Sequence, residues 1–239
     1  MQVLEIRARG PVFSFRRPMD HNYQKTFNLP PPTTLLGLAG AALGLSPDEM
    51  WESNSVIRLI KAVALSDGEV GTAKDLWKIM KVKVKKITER SIYTRELLFF
   101  ARYTIYYAAA NTDLLNTLQK AFEDPVYALS LGREDELVEL TSVRITEALE
   151  TSPEFTGTFV PVDLHTIPND RVHLILDQEG SFPAPQSVKL PVSFQVQRGI
   201  RKPEPGKVIV FTFIPPGLKL RVEGLDAFQC DGRAFCFWP

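Results

Sequence analysis

Cysteine and histidine are scarce in this 239-residue chain, which holds two of the first and three of the second. Cys230 and Cys236 flank an Asp231-Gly232 turn, a spacing that makes neither a CxxC redox pair nor half of a zinc site, so buried or free thiols are expected. His21, His165 and His173 share no helical ligand spacing, and no HExxH or paired-carboxylate motif accompanies them, so the sequence predicts no metal site and no cofactor. A long apolar run is also missing: the most apolar segment, near residues 35–45, falls far short of the ~20 residues a membrane span requires. The opening MQVLEIRARG alternates like a strand and lacks the basic-then-apolar layout of a signal peptide, which predicts a cytoplasmic protein without a membrane partner. Repeats and low-complexity tracts are lacking as well. What remains, with 44% hydrophobic and 23% charged residues, is the composition of a folded chain with a substantial core.

Net charge is zero, yet charge is sorted along the chain. Residues 1–105 carry 16 basic and 10 acidic side chains, 106–170 carry 3 and 12, and 171–239 carry 9 and 6. Within 78–95, seven basic residues (Lys78, Lys81, Lys83, Lys85, Lys86, Arg90, Arg95) face Glu89 alone. A local basic patch can serve a polyanion even in a neutral chain. The acidic middle segment suits either a partner with a basic surface or a solvated exterior.

The most unusual stretch is PPPTTLLGLAGAALG at residues 30–44. Prolines stiffen the approach, Thr33 or Thr34 can cap a first turn, and Leu and Ala favour helix, while each glycine costs about 1 kcal/mol relative to Ala. On a helical wheel Gly37, Gly40 and Gly44 fall on one narrow stripe, flanked by leucines. Such a bare face permits close packing inside a core or the approach of a ligand backbone, and the helix start suits a phosphate. No Gly-Lys-Ser/Thr follows, so this is not a Walker A loop.

Around this helix the pattern predicts strands at 3–9 and 12–15, then a long surface loop over 16–32. A short helix capped by Ser46-Pro47-Asp48-Glu49 and a strand at 56–65 come next. A basic hairpin follows at about 77–107: its first strand turns Lys81, Lys83 and Lys85 to one side and Val82 and Val84 to the other, 88–95 forms the exposed tip, and 97–107 returns. A helix over 113–122 closes the first half. Beyond residue 150, Pro- and Gly-rich turns separate short strands at 172–176, 188–196, 207–213 and 218–222. The sequence thus predicts an α+β fold, with a first domain over 1–150 and a β-rich region over 151–239 that is separate or continuous with it.

A strand, an Arg-bearing loop, the PPPTTLLGLAGAALG helix and then the DPVYALSLGREDE run from Asp124, in that order, resemble the CRISPR-associated Cas-five family of the RAMP superfamily. The resemblance covers roughly residues 1–140. It implies a ferredoxin-like or RRM-like domain with a hairpin thumb, matched here by the basic hairpin. It also implies a noncatalytic subunit of a type I Cascade complex that grips the 5′ handle of crRNA beside Cas-seven backbone and Cas-eight large subunits.

Gripping a single-stranded RNA end requires phosphate neutralisation mixed with stacking. The candidate contacts are Arg16, Arg17, Lys25, Thr33, Thr34, Gly37 and Gly40 around the loop and helix, and Lys81, Lys83, Lys85, Lys86, Arg90 and Arg95 on the hairpin. Lysines on an edge strand also serve solubility alone. Gly132-Arg133 invites a phosphate-binding reading too, but Glu134, Asp135 and Glu136 follow at once, and repulsion favours a cap or protein contact there. Two rival functions stay open. One is metal-independent cleavage of precursor crRNA, with His21, Tyr23 and Lys25 alternating along an extended loop and His21 as the base, although the TTLLG helix resembles the noncatalytic branch. The other is a protein-interaction module that touches no RNA.

Overall fold

The first strand, β1 (Gln2–Arg9), alternates two sets of side chains, and both are buried over its first half: Leu4, Ile6 and Ala8 on one face, Val3 and Glu5 on the other. Such a strand belongs at the centre of a sheet covered on both sides. The computed structural model, which describes residues 1–83, 86–175, 182–197 and 200–239, places it there. The chain continues through β2 (Val12–Phe13), β3 (Tyr23–Gln24), α1 (Pro32–Leu43), β4 (Ile60–Ser66), β5 (Gly71–Lys83), β6 (Lys86–Phe99), β7 (Arg102–Ala109), α2 (Thr112–Glu123) and β8 (Glu139–Glu147). The central sheet is antiparallel in the order β4-β7-β1-β8. The β5–β6 hairpin is inserted between β4 and β7, so the sheet and helices follow a β-α-β-β-α-β order.

Both helices lie on one side. Tyr107 of β7 donates its hydroxyl proton to the Leu35 carbonyl of α1 at 2.8 Å, and its ring lies 5.4 Å from Phe122 of α2. On the other side Tyr106 stacks on Phe235 at 4.2 Å. α2 starts at an Asn111 cap that accepts from the Leu114 N–H, and buries Leu114, Leu115, Leu118 and Phe122.

α1 departs from the expected pattern. Pro32 is its first residue and Pro31 its cap, and neither Thr33 nor Thr34 caps it through a side chain. Its three glycines have three different environments rather than one bare face. Gly37 faces open space, whereas Gly40 is buried with the Met50 side chain where a Cβ would stand. Gly44 is the left-handed C-cap at φ 75°, its N–H bonded to Ala41. Leu35, Leu36 and Leu38 are all buried, so core surrounds the helix on more than one side.

Further expectations need correction. The 16–32 segment is a surface loop only in part: Pro18, Met19, His21 and Asn22 are exposed, but Arg16 bridges Thr26, β3 pairs in parallel with β6, and Gln24, Thr26, Phe27 and Leu29 are buried. A buried segment must satisfy its backbone, and here Thr26 Oγ1 accepts from the Phe15 N–H at 2.7 Å. The stretch 56–65 opens as a single 3-10 turn, Val56–Leu59, before β4 begins. The hairpin runs out from Gly71 and returns along Lys86–Phe99, so 88–95 is strand rather than tip. Residues 97–107 are two strands broken at Phe100, whose φ is 54°. The small helix after Ser46 is a 3-10 turn, Glu49–Trp51, preceded by a reciprocal Ser46–Glu49 capping box.

After residue 147 the chain is β-rich: β9 (Leu149–Glu150), β10 (Glu154–Phe155), β11 (Thr158–Val160), β12 (Val172–Ile175), β13 (Gln186–Pro191), β14 (Phe194–Gln197), β15 (Ile200–Pro203), β16 (Val208–Ile214), β17 (Lys219–Val222), β18 (Phe228–Cys230) and β19 (Arg233–Phe235). The stretch expected as one strand over 188–196 is thus two, parted after Pro191; Leu176 lies outside the described residues. Phe159, Leu190, Phe211, Phe213, Phe235 and Trp238 join the core built by β1, α1 and β7, so residues beyond 150 complete that core. A satellite cluster around Phe155, Val160 and Ile214 lies beside it.

Cys230 and Cys236 are free and buried. Burial pushes the Cys230 thiol up to about 11 and raises that of Cys236 as well. The native protein should therefore release no stoichiometric signal with a thiol-disulfide reagent at pH 8, and both thiols should react once guanidinium unfolds it. Fast reaction of either thiol in the native state would contradict this burial.

Candidate nucleic-acid interface

Five stretches of chain enclose a cleft of about 600 Å3. The hairpin base supplies Trp77 and Arg95, the 16–32 segment Arg16 and Lys25, and the first turn of α1 Thr33 and Thr34. The Gly132-Arg133 turn closes another side, and Leu190 and Phe194 add apolar lining from the C-terminal strands. In the hairpin register Asp75 opposes Arg95 and Trp77 opposes Tyr93, so these four stand on one face of the ribbon.

Two guanidinium groups lie over the Trp77 indole, Arg133 at 4.2 Å and Arg95 at 5.2 Å from its centre. Such contacts hold a cation flat against an aromatic face while leaving its edge to donate hydrogen bonds. Arg95 gives one Nη2 bond to Asp75 at 2.8 Å, but its buried Nε has no hydrogen-bond partner among the described residues. An unpartnered buried donor is costly, and an incoming acceptor relieves that cost. The α1 start adds a positive dipole end, with no acidic residue in its first turn.

Of the acidic run that follows Arg133, Glu134 and Asp135 are exposed and Glu136 is buried. Glu136 turns inward, 5% exposed, and accepts from Ser14 N–H at 2.7 Å, Ser14 Oγ at 2.5 Å and Arg133 N–H at 3.0 Å. Asp135 is held below the usual carboxylate range, first by a backbone N–H and then by Arg133. Arg133, set aside on charge grounds, is therefore a cleft residue, and its signal was the Gly132 step: φ there is 118° and Ser14 O crowds the missing Cβ.

Of the expected contacts, Arg16, Lys25, Thr33, Thr34 and Arg95 meet in the cleft. Arg17 does not, because its Nε donates to Thr26 O at 3.3 Å and its guanidinium lies over Phe27 beside a separate small hollow. Gly40 is removed from the interface by its burial, and Gly37 lies outside the cleft lining. Lys81 stands further out on the Trp77 face, bonded to Glu89 at 2.7 Å, which raises its pKa. Arg90 is on the opposite face, across from Met80. Val84 and Lys85 lie outside the described residues, as do the side chains of Lys83 and Lys86. His21 and Tyr23 do not line the cleft; Tyr23 donates to Glu96 at 2.8 Å under the Lys74 ammonium. Trp77, unmarked as a contact in the sequence, is the aromatic centre. No group of three His, Cys, Asp or Glu that could hold a metal occurs among the described residues, and no helix among them is long and apolar enough to cross a membrane.

The architecture is shared with CRISPR proteins. A chain described as belonging to a "CRISPR RNA-guided surveillance complex" aligns with TM-score 0.58 at 14% identity, over 90% of this chain and 91% of that one. A CRISPR protein from Archaeoglobus fulgidus aligns with TM-score 0.52 at 13% identity over 98% of both chains. At such identities the likeness defines the fold, and no curated protein sequence matches the chain. Residues 3–198 match the family described as CRISPR-associated protein (Cas_Cas5), and the protein belongs to that family.

Replacing Glu136 with Ala leaves three donors unmatched and frees the Arg133 turn. We expect a loss of about 2–3 kcal/mol in urea unfolding, with a change in the Trp77 environment visible by fluorescence. An unchanged unfolding midpoint would show that Glu136 does not hold the turn.

Proposed function

We propose that this protein is a noncatalytic subunit of a CRISPR effector complex that grips the 5′ handle of crRNA in the Trp77 cleft. The observation that carries the reading is the Arg95–Trp77–Arg133 cluster with its unpartnered Arg95 Nε. A base stacks on an aromatic or guanidinium plane, and the adjacent phosphate accepts from the guanidinium edges, Arg16, Lys25 and the start of α1. Family membership supports CRISPR function, and the RNA-guided complex that shares the fold supports an RNA ligand. The β-α-β-β-α-β sheet is read as the ferredoxin-like domain of the RAMP proteins, and β5–β6 as its thumb. In this reading Cas-seven and Cas-eight subunits complete the assembly around the bound handle.

Cleavage is the less favoured reading because the cleft takes only Lys25 of the three side chains that would share the chemistry. Purified protein incubated with labelled repeat RNA in EDTA should leave the RNA intact. A defined cut that disappears in His21→Ala would reverse the assignment.

Binding to handle RNA should depend on the cluster. Trp77→Ala should lose stacking worth about 1–3 kcal/mol, and Arg95→Ala with Arg133→Ala should lower the salt slope by roughly 0.7 for each phosphate no longer neutralised. Fluorescence titration of the assembled complex at several salt concentrations measures both. Wild-type affinity and slope in these variants would exclude the cleft as the handle site.

A further inference from the structure

The sheet face opposite the helices carries a second basic hollow. β1 places Arg7 and Arg9 on that face, β7 places Arg102 and Thr104 there, and Arg233 reaches in from β19. They line a space of about 760 Å3. Arg9 and Arg102 also line an adjoining hollow of about 460 Å3, together with Gly10, Phe100 and Leu137. Neither hollow shares a lining residue with the Trp77 cleft.

Three of the four arginines are matched within the fold. Arg7 pairs with Glu5 and Asp231, Arg9 with Glu139, and Arg233 with Asp67, which Thr104 also holds. The Arg102 side chain has no hydrogen-bond or ion-pair partner among the described residues, yet it stands directly across the ladder from Arg9. Like charges directly opposite on a sheet repel, and nothing in the core requires this pair. The Arg9–Glu139 bridge is bidentate but exposed on both sides, so solvent and salt screen it and Arg102 is the uncompensated charge of the pair. Just before Ala101 and Arg102, Phe100 is 75% exposed and held at φ 54°, a conformation uncommon for a bulky side chain. Its neighbours in the second hollow are the same two arginines.

We propose that this groove is a second nucleic-acid contact, taking a short single-stranded segment whose phosphate lies between Arg9 and Arg102 and whose base lies on Phe100. An exposed aromatic face beside guanidinium groups is the chemistry of single-strand binding, and the exposed Thr156 at the first hollow suits a sugar. The recognised element, an unstacked base next to a phosphodiester, is common to ribose and deoxyribose strands. The contact rests on none of the handle-site residues and stands or falls separately.

The test is photo-crosslinking of the full chain with hexauridylate and with hexathymidylate, each carrying a 5-iodinated base, followed by mass spectrometric mapping. Crosslinks at Phe100 are expected, falling at least ten-fold in Arg102→Gln and in Arg9→Gln/Arg102→Gln while those at Trp77 stay within two-fold. Thermal melting verifies that both variants are folded. Preference for one oligonucleotide identifies the sugar of the strand, and either supports the site. Crosslinks at Phe100 without any at Trp77 would sink the handle cleft and keep this groove. An absence of crosslinks at Phe100 would overturn the groove, and so would Phe100 crosslinks that stay within two-fold of wild type in Arg102→Gln.

Discussion

A single inward-facing carboxylate sets the geometry of the Trp77 cleft. Glu136 sits between the chain after β2 and the turn before β8, and its two oxygens accept from Ser14 N–H, Ser14 Oγ and Arg133 N–H. These donors come from segments more than a hundred residues apart in sequence, so the bond set ties the Gly132-Arg133 turn to the entrance of the 16–32 segment. Gly132 lets the turn come this close, since Ser14 O and Glu136 occupy the space of a Cβ. With the backbone pinned, the Arg133 side chain has a short, defined reach to the Trp77 ring. A buried charge with three hydrogen bonds costs less than one left bare, and it fixes position better than a solvated one.

Insertion of the hairpin supplies the other half. β5 and β6 leave the central sheet at β4 and rejoin it at β7, so the base of the ribbon is anchored by the core while its outer part projects. The base carries Trp77, Arg95 and Asp75; the outer part carries Lys81 on the same face and Arg90 on the other. Only the anchored end meets α1, the 16–32 segment and the 132–133 turn in a common cleft. Rigid parts of the fold therefore hold the stacking centre, and the outer lysines add charge at longer range.

Much of this was legible from the chain. Strand β1, helix α1 and helix α2 with its Asn111 cap follow from period, caps and breakers. Five of the expected contacts share a cleft, because the fold brings the 16–32 segment, the start of α1 and the hairpin base together. The errors have physical causes. Residues 88–95 show no apolar alternation because much of the outer ribbon faces water on both sides, so their strand character rested on Ile92, Tyr93 and Thr94 alone. The glycine stripe looked like one surface, but a helical wheel does not know that Met50 folds over Gly40 or that Gly44 ends the helix. Arg133 was hidden by its acidic neighbours, since sequence cannot say which carboxylate turns inward. The burial of Thr26 and Phe27 depends on hydrogen bonds to Glu96 and Phe15 that no local pattern announces.

The same sheet illustrates how two faces of one element divide their work. Helices cover the Leu4, Ile6 and Tyr107 face, which leaves the other face as the place where chemistry can be exposed. Part of it is closed: Tyr106 under Phe235, and Glu5 buried beneath Arg7 and Arg144. Towards the far end of β1 the cover thins, and there the side chains become Arg9 and Arg102. A sheet that needed only closure would place apolar or neutral residues at that boundary. Two opposed arginines of which only Arg9 has a carboxylate, Glu139, instead leave a standing demand for an anion. The chain is neutral as a whole, yet none of its described carboxylates pairs with Arg102 to meet that demand.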